Sequence, residues 1–471
     1  MPFLRSALQA LLVVVAVAAG QSPSFAEERQ VPRSRADVLL SFAPVAKRAQ
    51  PAVVNVYASR TDKRPRNPLF DDPIFRRFFG DGPGPRAGGP TAQSLGSGVI
   101  VDPSGLVVTN VHVIEGMTDV RVALSDKREF DASILLADKR TDLAVLKLKG
   151  TANLPVMELG DSDAIEVGDI VLALGDPFGV GQTVTQGIIS GLARTQIGSS
   201  GYQFFIQTDA AINPGNSGGA LVDMNARLIG INSAIYSQSG GSIGIGFAIP
   251  VNMVKSVVAA ARAGETRVRR PWLGASLQPI TRDIAEGLGL DRPGGALVAD
   301  VLDSGPAAAA GIKRGDVIVA VEGQAVDDPE ALGYRLATKP LGGATMLTVR
   351  RDGHDLQLSL KLMAAPEIPP RDPVTLKGNS PFAGATIVNN SPAVAEDFSL
   401  SGTREGVVVT DVEDGSAAAA YGVQKGDVLL QVNDAKITST KALERAAAAR
   451  TDYWRVTIER AGQTITSDIG G

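Results

Sequence analysis

The stretch Asn213-Pro-Gly-Asn-Ser-Gly-Gly-Ala-Leu221 places a single serine, Ser217, among three glycines and directly before an apolar run. Glycine permits a tight turn and leaves no side chain to screen the hydroxyl. Successive backbone N–H groups in such a turn can converge on one point, and converging donors stabilise the oxyanion that forms when a serine attacks an acyl group. The stretch is equally compatible with an ordinary Gly/Ser/Asn turn, so other parts of the chain must decide between the two.

The composition indicates an ordinary globular protein of several domains. A chain of 471 residues predicts roughly three domains. Hydrophobic residues make up 44% and charged residues 20%, and the net charge of −4 gives no electrostatic reason to expect nucleic acid. The chain has no cysteine, which excludes disulfides and thiolate metal sites.

The first 26 residues have the pattern of a secretory signal peptide. Arg5 supplies the positive end, residues 11–19 form a short apolar core, and Ser24-Phe-Ala26 is a small-x-small cleavage site. The alternative is an uncleaved N-terminal anchor, although the apolar core is short for a membrane span. We therefore expect export to a bacterial periplasm, with inner-membrane association as the second possibility.

Short β-branched runs separated by turn residues continue from residue 51 to residue 232, a pattern typical of a sandwich or barrel. One helix is expected at 251–262, because Pro250 precedes it and Gly264 follows it. The predicted strands are 51–57, 96–102, 106–109, 119–123, 132–136, 143–148, 169–174, 183–189, 204–208 and 228–232.

A serine nucleophile needs a base, and the chain has only two histidines. His112 follows a buried-looking strand in the same half of the chain as Ser217, whereas His354 lies in a polar hairpin turn typical of a surface. A carboxylate must also orient the imidazole. Asp142 stands at the start of an apolar strand, and composition alone does not separate it from its alternatives, Asp138, Asp161 and Asp163.

Six ordered blocks resemble the signature blocks of the HtrA/Deg family of chymotrypsin-like serine proteases. They are Thr109-Asn-Val-His112, Thr141-Asp-Leu-Ala-Val-Leu-Lys147, Gly175-Asp-Pro-Phe-Gly179, Gln207-Thr-Asp-Ala-Ala-Ile-Asn213, Gly215-Asn-Ser-Gly-Gly-Ala-Leu221 and Ile243-Gly-Ile-Gly-Phe-Ala-Ile-Pro250. The resemblance implies two six-stranded β-barrels with the site in the cleft between them, and it favours Asp142 as the triad acid. It also implies an oxyanion hole at Gly215, Asn216 and Ser217, and no metal or other cofactor.

The same resemblance assigns roles to two Gly/Ser-rich loops. Residues 191–203 should sense the next domain, and residues 233–245 should lie beside the specificity pocket. Ala210, Ala211 and Ile212 should form the pocket wall, and the absence of an acidic residue among these three favours cleavage after small aliphatic residues. The predicted substrate-binding residues are Ala211, Ile212, Ser233, Ala234, Ile235 and Tyr236.

Residues 60–93 are rich in Pro, Gly, Arg and Asp but contain four phenylalanines within 70–79. A long loop of this kind is usually functional or disordered, and exposed aromatics favour docking. We expect it either to dock on another subunit or to pack on its own domain, and the family resemblance implies a homo-trimer or a higher oligomer of trimers. The loop lacks a cysteine pair, which favours the DegQ-like, Do-type branch of the family over the DegP branch.

The second half of the chain contains an internal repeat, since the pattern of residues 298–317 recurs at 409–428. The offset is the length of one small domain. Each copy resembles a PDZ domain, a module that binds an extended C-terminal peptide as an added strand. The peptide site is predicted in the first copy at Trp272, Leu273, Gly274 and Ala275, with Phe382-Ala-Gly-Ala385 as a weaker equivalent in the second.

The predicted fold is therefore mainly β, a chymotrypsin-like double β-barrel followed by two small α+β PDZ domains. The resemblance implies an ATP-independent serine endopeptidase that degrades unfolded or damaged proteins in the periplasm and is regulated by peptides at the first PDZ domain. The alternative is a holdase-type chaperone or PDZ scaffold with secondary proteolysis. The predicted segments are 1–26 signal peptide, 27–266 protease domain, 268–364 first PDZ domain, 365–379 linker and 380–471 second PDZ domain.

Overall fold

The computed structural model describes residues 41–60, 93–150, 153–176, 181–194, 204–213, 215–235, 242–398, 400, 405–449, 451 and 453–470. The predicted signal peptide, the aromatic segment 70–79 and Tyr236 lie outside these residues. A short helix, α1 (Ala43–Ala49), lies near the start of the described chain. No helix within the described residues is long and apolar enough to cross a membrane.

The first six strands close into a barrel in the order β1-β2-β3-β6-β5-β4. The residues of β3 are buried along its whole length, whereas β4 alternates exposed and buried residues because only one of its faces meets the barrel core. A one-turn helix, α2 (Val111–Ile114), follows β3. The strands are β1 (Val53–Ser59), β2 (Gln93–Asp102), β3 (Leu106–Asn110), β4 (Asp119–Ala123), β5 (Glu129–Asp138) and β6 (Leu143–Leu148).

The next six strands close into a second barrel in the order β10-β11-β12-β9-β8-β7. The sequence did not predict β12, because its glycine lowers the strand signal and pairing with β9 and β11 is what keeps it extended. The predicted double barrel is confirmed. The strands are β7 (Ile170–Gly175), β8 (Thr183–Arg194), β9 (Phe205–Thr208), β10 (Ala220–Val222), β11 (Leu228–Ile235) and β12 (Gly246–Pro250).

Helix α3 (Val251–Arg262) joins the two barrels and has the bounds that the sequence predicted. It packs against β5 and β6 of the first barrel and against β11 and β12 of the second. Its buried face consists of Val251, Met253, Val254, Val257, Val258, Ala260 and Ala261. Because one apolar face contacts both barrels, the helix stabilises their relative position.

The first repeat forms an antiparallel sheet in the order β13-β14-β15-β17-β18, with β16 paired to β15. Strand β13 is an outer strand of this sheet. The elements are β13 (Ala275–Pro279), α4 (Arg282–Gly287), β14 (Ala296–Val301), α5 (Pro306–Ala309), β15 (Val317–Val321), β16 (Gln324–Ala325), α6 (Pro329–Ala337), β17 (Ala344–Arg351) and β18 (His354–Lys361).

The second repeat has the sheet order β19-β20-β21-β22-β24-β25, with β23 paired to β22. It differs from the first repeat by the additional outer strand β19. The elements are β19 (Val374–Thr375), β20 (Ala385–Asn389), α7 (Pro392–Asp397), β21 (Val407–Val412), α8 (Ala417–Ala420), β22 (Val428–Val432), β23 (Ala435–Lys436), α9 (Thr440–Ala447), β24 (Tyr453–Arg460) and β25 (Gln463–Gly470).

Both repeats contain the same ion pair, between a buried aspartate and a partly exposed arginine. In the first, Arg351 donates to both oxygens of Asp316 at 2.7 Å and to the carbonyl of Gly311. In the second, Arg460 donates to both oxygens of Asp427 at 2.6 Å and to a glycine carbonyl of the matching turn. Each arginine thus ties the last hairpin of its sheet to the turn before the Gly-Asp strand.

The second domain begins earlier than the predicted boundary at 380. Strand β19 lies inside the predicted linker 365–379, and Leu376 is 4% exposed within the core of the second repeat. The proline-rich composition predicted an extended linker. It did not reveal that the end of this segment would pair with β20, because that pairing depends on a neighbour distant in sequence.

Helix α6 attaches the first repeat to the barrels. Tyr334 is 1% exposed, its ring stacks on Phe204 at a centroid distance of 3.7 Å, and its hydroxyl lies 3.3 Å from Ser162 Oγ. Burial raises the pKa of the Tyr334 phenol above its usual value, so the ring stays neutral. The next residue, Arg335, donates to Asp163 at 2.8 Å.

A second junction brings both repeats to the loop before β6. Arg270 forms a buried ion pair with Asp138, and Arg140 lies 3.4 Å from Glu396 of helix α7. Burial raises the pKa of the Glu396 carboxyl, while the Arg140 charge opposes that rise. The junction borders a cavity of about 520 Å³, whose charged lining is Arg140, Arg267, Arg269, Arg270, Glu367, Glu396 and Asp397.

Replacing Tyr334 with alanine should loosen the attachment of the first repeat to the barrels. Loss of a buried aromatic side chain typically lowers the free energy of unfolding by about 3–5 kcal/mol. We expect the unfolding transition of the first repeat to separate from that of the barrels in scanning calorimetry. Tyr421→Ala is the control, because Tyr421 is 50% exposed and should change stability by less than about 0.5 kcal/mol. A wild-type transition in Tyr334→Ala would contradict this interpretation.

Candidate active site

The stretch around Ser217 forms a compact turn between β9 and β10. The N–H of Asn216 donates to the carbonyl of Asn213 at 3.0 Å, and the N–H of Gly219 donates to that of Asn216 at 2.9 Å. Gly218 has φ +84, and a Cβ there would lie 2.1 Å from the carbonyl oxygen of Ser97. The glycine is therefore required both by its backbone conformation and by the strand that lies against it.

His112 and Asp142 are brought together by the first barrel. Strands β3 and β6 pair, with Asn110 opposite Leu143, so the residues that follow β3 and precede β6 meet at one end. Asp142 Oδ2 lies 2.7 Å from His112 Nδ1, and Asp142 Oδ1 accepts the backbone N–H of His112 at 3.0 Å. With Nδ1–H donating to the carboxylate, Nε2 is the basic nitrogen of the neutral imidazole.

The three alternative carboxylates lie in other interactions. Asp138 pairs with Arg270, Asp163 accepts from Arg335, and Asp161 accepts from the side chain of Asn252 at 2.8 Å. The second histidine, His354, is exposed at the first position of β18. Among the described residues, His112 and Asp142 form the histidine–carboxylate pair next to the Ser217 turn.

Ser233, on β11, links Ser217 to Asp142. The hydroxyl of Ser217 donates to the carbonyl of Ser233 at 3.2 Å, and the hydroxyl of Ser233 donates to Asp142 Oδ2 at 3.2 Å. The sequence placed Ser233 among the substrate-binding residues and did not predict these contacts. No local signal could have revealed them, because they depend on the packing of β11 against the first barrel.

Two of the three N–H groups in the predicted oxyanion hole are not used in hydrogen bonds of the described chain. Within the described residues, the N–H groups of Gly215 and Ser217 donate to no other group. The N–H of Asn216, which lies between them, holds the turn instead. The oxyanion hole predicted at these three residues would therefore use the first and third N–H groups, with the middle residue maintaining the turn.

The predicted pocket wall lies mostly in the core of the second barrel. Ala210 is 0% exposed and Ile212 is 2% exposed, while Ala211 is half-buried and its carbonyl accepts from Thr185 at 2.8 Å. Ala234 and Ile235 belong to β11. The loop residues 195–203 and 236–241 lie outside the described residues, so the assignment of substrate contacts remains a prediction.

The predicted peptide site of the first repeat has an open strand edge. Leu273 is buried in the core and Gly274 has φ +72, while their carbonyls accept from Ala307 and Leu302 at 2.9 Å. Among the described residues, the N–H groups of Leu273 and Gly274 donate to no other group. Trp272 is half-buried, and Ala275 starts β13, whose outer edge pairs with no other strand of the described chain.

The equivalent edge of the second repeat is filled by the chain itself. Strand β19 pairs antiparallel with β20. Beyond it, Leu376 donates to the carbonyl of Ala385 and accepts the N–H of Gly384, both at 2.9 Å. Phe382 is buried against Trp454 in an edge-to-face contact. In this arrangement the second repeat has no room at β20 for an added peptide strand.

Comparison with known domain families agrees with this architecture. The family described as the trypsin-like peptidase domain matches residues 96–231. The PDZ domain family matches residues 271–362 and again residues 381–469. The first match contains His112, Asp142 and Ser217, and the other two coincide with the two repeats.

Two relatives match nearly the whole chain. The periplasmic serine endoprotease DegP of Escherichia coli (strain K12) is 37% identical over 449 residues, covering 90% of this chain and 91% of that relative. The protein of the same name in Salmonella typhimurium is 36% identical over 483 residues, covering 98% of each. Both carry the DegP name, and the preference for a DegQ-like branch stays a prediction.

Solved structures of the HtrA-type protease AlgW are also similar. AlgW with a decapeptide is 46% identical, with a TM-score of 0.51, and the match covers 69% of this chain and 99% of that chain. AlgW with a tripeptide is 42% identical, with a TM-score of 0.52, and the match covers 69% and 98%.

Proposed function

Because this chain belongs to the HtrA family of serine endoproteases, with a trypsin-like peptidase domain and two PDZ domains, we propose that it cleaves unfolded or damaged proteins in the periplasm through Ser217. The observation that carries the proposal is the 2.7 Å contact between His112 and Asp142 at the end of the barrel facing the Ser217 turn. Export after removal of residues 1–26 and assembly as a homo-trimer or a higher oligomer of trimers belong to the same proposal.

The reaction would follow the order expected for a serine triad. Ser217 Oγ attacks the scissile carbonyl carbon while His112 Nε2 takes its proton, and Asp142 stabilises the resulting imidazolium. The N–H groups of Gly215 and Ser217 bind the oxyanion. The imidazolium then protonates the leaving amine as the C–N bond breaks. Water, deprotonated by His112, hydrolyses the acyl-enzyme in the second half of the reaction.

Regulation by peptides at the first PDZ domain has a physical route. Helix α6 packs beside β13, the strand to which a peptide would add, and the same helix carries Tyr334 and Arg335 to the barrels. Phe204, which receives Tyr334, directly follows the loop that we expect to sense this domain. A peptide that shifts α6 would therefore act on that loop through a packed contact. The solved AlgW structures with peptides are consistent with such binding in this family.

Ser217→Ala and His112→Ala should each abolish the cleavage of casein. Loss of the nucleophile or the base of such a triad costs about six orders of magnitude in kcat. His354→Ala is the matched control and should cleave at the wild-type rate, because that side chain is exposed. Either active-site variant retaining a tenth of wild-type activity would refute the assignment. If Ser217→Ala still suppresses aggregation of an unfolded protein at the wild-type level, the protein also has a holdase activity.

Cleavage should occur mainly after valine, alanine or isoleucine. The predicted wall at Ala211 and Ile212 is apolar and contains no carboxylate to pair with a basic side chain. Mass spectrometry of the products from an unfolded substrate tests this expectation. A majority of cuts after lysine or arginine would show that the specificity pocket is built differently.

A hydrophobic C-terminal peptide should increase the cleavage of a small chromogenic substrate by the full chain. A coupling free energy of about 1–3 kcal/mol corresponds to an increase of roughly 5–150-fold. Tyr334→Ala should bind the same peptide but respond less, because the contact between α6 and Phe204 is lost. If the wild-type rate does not change at peptide concentrations that saturate binding, the domain only tethers substrates.

A further inference from the structure

Ser97, in the middle of β2, makes hydrogen bonds with both ends of the turn that carries Ser217. The residue is 0% exposed. Its hydroxyl donates to the carbonyl of Gly215 at 2.6 Å and accepts the N–H of Asp176 at 2.9 Å. Its backbone N–H donates to the carbonyl of Ser217 at 2.8 Å. One residue of the first barrel thus holds two carbonyls of the turn, on either side of Asn216.

Those two carbonyls belong to the peptides on either side of the one that carries the Ser217 N–H. A trans peptide is planar, so its N–H and C=O groups point in opposite directions. With the carbonyl of Gly215 held by Ser97, the N–H of Asn216 must point away from Ser97, where it meets Asn213 at 3.0 Å. The carbonyl of Ser217 is held in the same way, and the peptide that carries the Ser217 N–H lies between the two held peptides. That N–H therefore cannot turn without disturbing one of the hydrogen bonds to Ser97.

The groups around Ser97 are hydrogen-bonded to one another. Thr109 donates its hydroxyl to the Ser97 carbonyl at 2.7 Å. Behind the Ser97 hydroxyl, the carboxylate of Asp176 accepts from Asn55 at 2.5 Å and from the N–H of Gly181 at 3.1 Å. The Ser97 hydroxyl accepts the N–H of Asp176, so its own hydrogen is directed to the carbonyl of Gly215.

We propose that Ser97 is a positioning residue for the oxyanion hole. It holds the peptides on both sides of the one that carries the Ser217 N–H, and so keeps that donor in the orientation that catalysis needs. This inference rests on the proposed function, since it assumes that Ser217 is the nucleophile. Ser97 would act through the turn without touching the substrate. Removing its hydroxyl should therefore lower kcat and leave KM nearly unchanged, because the oxyanion is bound in the transition state and not in the ground state.

The test compares Ser97→Ala with Ser97→Thr, which keeps a hydroxyl, in the full chain. Removing an oxyanion donor outright costs about 100–1,000-fold in kcat, and a donor left misaligned should cost about 10–100-fold. We expect Ser97→Ala to show that loss with KM within about twofold, and to bind a peptide boronate more weakly by the same factor. Ser97→Thr should recover most of kcat. If Ser97→Ala does not fold, Ser97→Cys, with a weaker donor of similar size, should show an intermediate kcat.

Thr208→Val separates positioning from general loss of stability. Like Ser97, Thr208 is buried and its hydroxyl makes two hydrogen bonds to the backbone. It donates to the carbonyl of Ile188 at 2.8 Å and accepts the N–H of Ala210 at 3.1 Å. The Thr208→Val variant should therefore lower the melting temperature about as much as Ser97→Ala does, but its kcat should stay at the wild-type value. Wild-type kcat in Ser97→Ala, or an equal kcat loss in Thr208→Val at equal stability, would overturn the inference. Cleavage by Ser217→Ala would instead overturn the proposed function itself.

Discussion

The hydrogen bonds between Ser97 and the Ser217 turn are the contact on which the proposed site depends. His112 and Asp142 belong to the first barrel, whereas Ser217 and Ser233 belong to the second. A site divided between two barrels functions only if their relative position is held to a fraction of an ångström. The Ser97 N–H donates to the Ser217 carbonyl at 2.8 Å across this boundary.

Close approach at this boundary explains the glycines of the central stretch better than turn geometry alone. A Cβ at Gly219 would lie 2.2 Å from the carbonyl oxygen of Leu174, and one at Gly218 would lie 2.1 Å from that of Ser97. The turn is therefore enclosed by strands of both barrels. Helix α3 supports the same boundary from another side, because its apolar face packs on strands of both barrels.

The two repeats share one fold but differ in what surrounds it. The first presents an open edge at β13 and attaches to the barrels through Tyr334 and Arg335 of α6. In the second, β19 covers the equivalent edge. It contacts the protease domain through the ion pair of Glu396 with Arg140, and Arg140 lies two residues before Asp142 in the chain. The matching helix α9 has Arg445 and Ala446 in its sequence where α6 has tyrosine and arginine, so it lacks the aromatic ring that stacks on Phe204.

The sequence by itself determined the features that depend on neighbouring residues. The glycine-rich turn at Ser217, the isolated His112, the short strands, the helix at 251–262 and the duplicated pattern all follow from local residue types and spacing. Only the tertiary structure decided which strands pair and which side chains meet across domains. The roles of Ser97 and Ser233, the stack of Tyr334 on Phe204 and the pairing of β19 with β20 join residues far apart in sequence. Each partner alone looks ordinary, because its role arises only when strand register and domain packing bring it to the other.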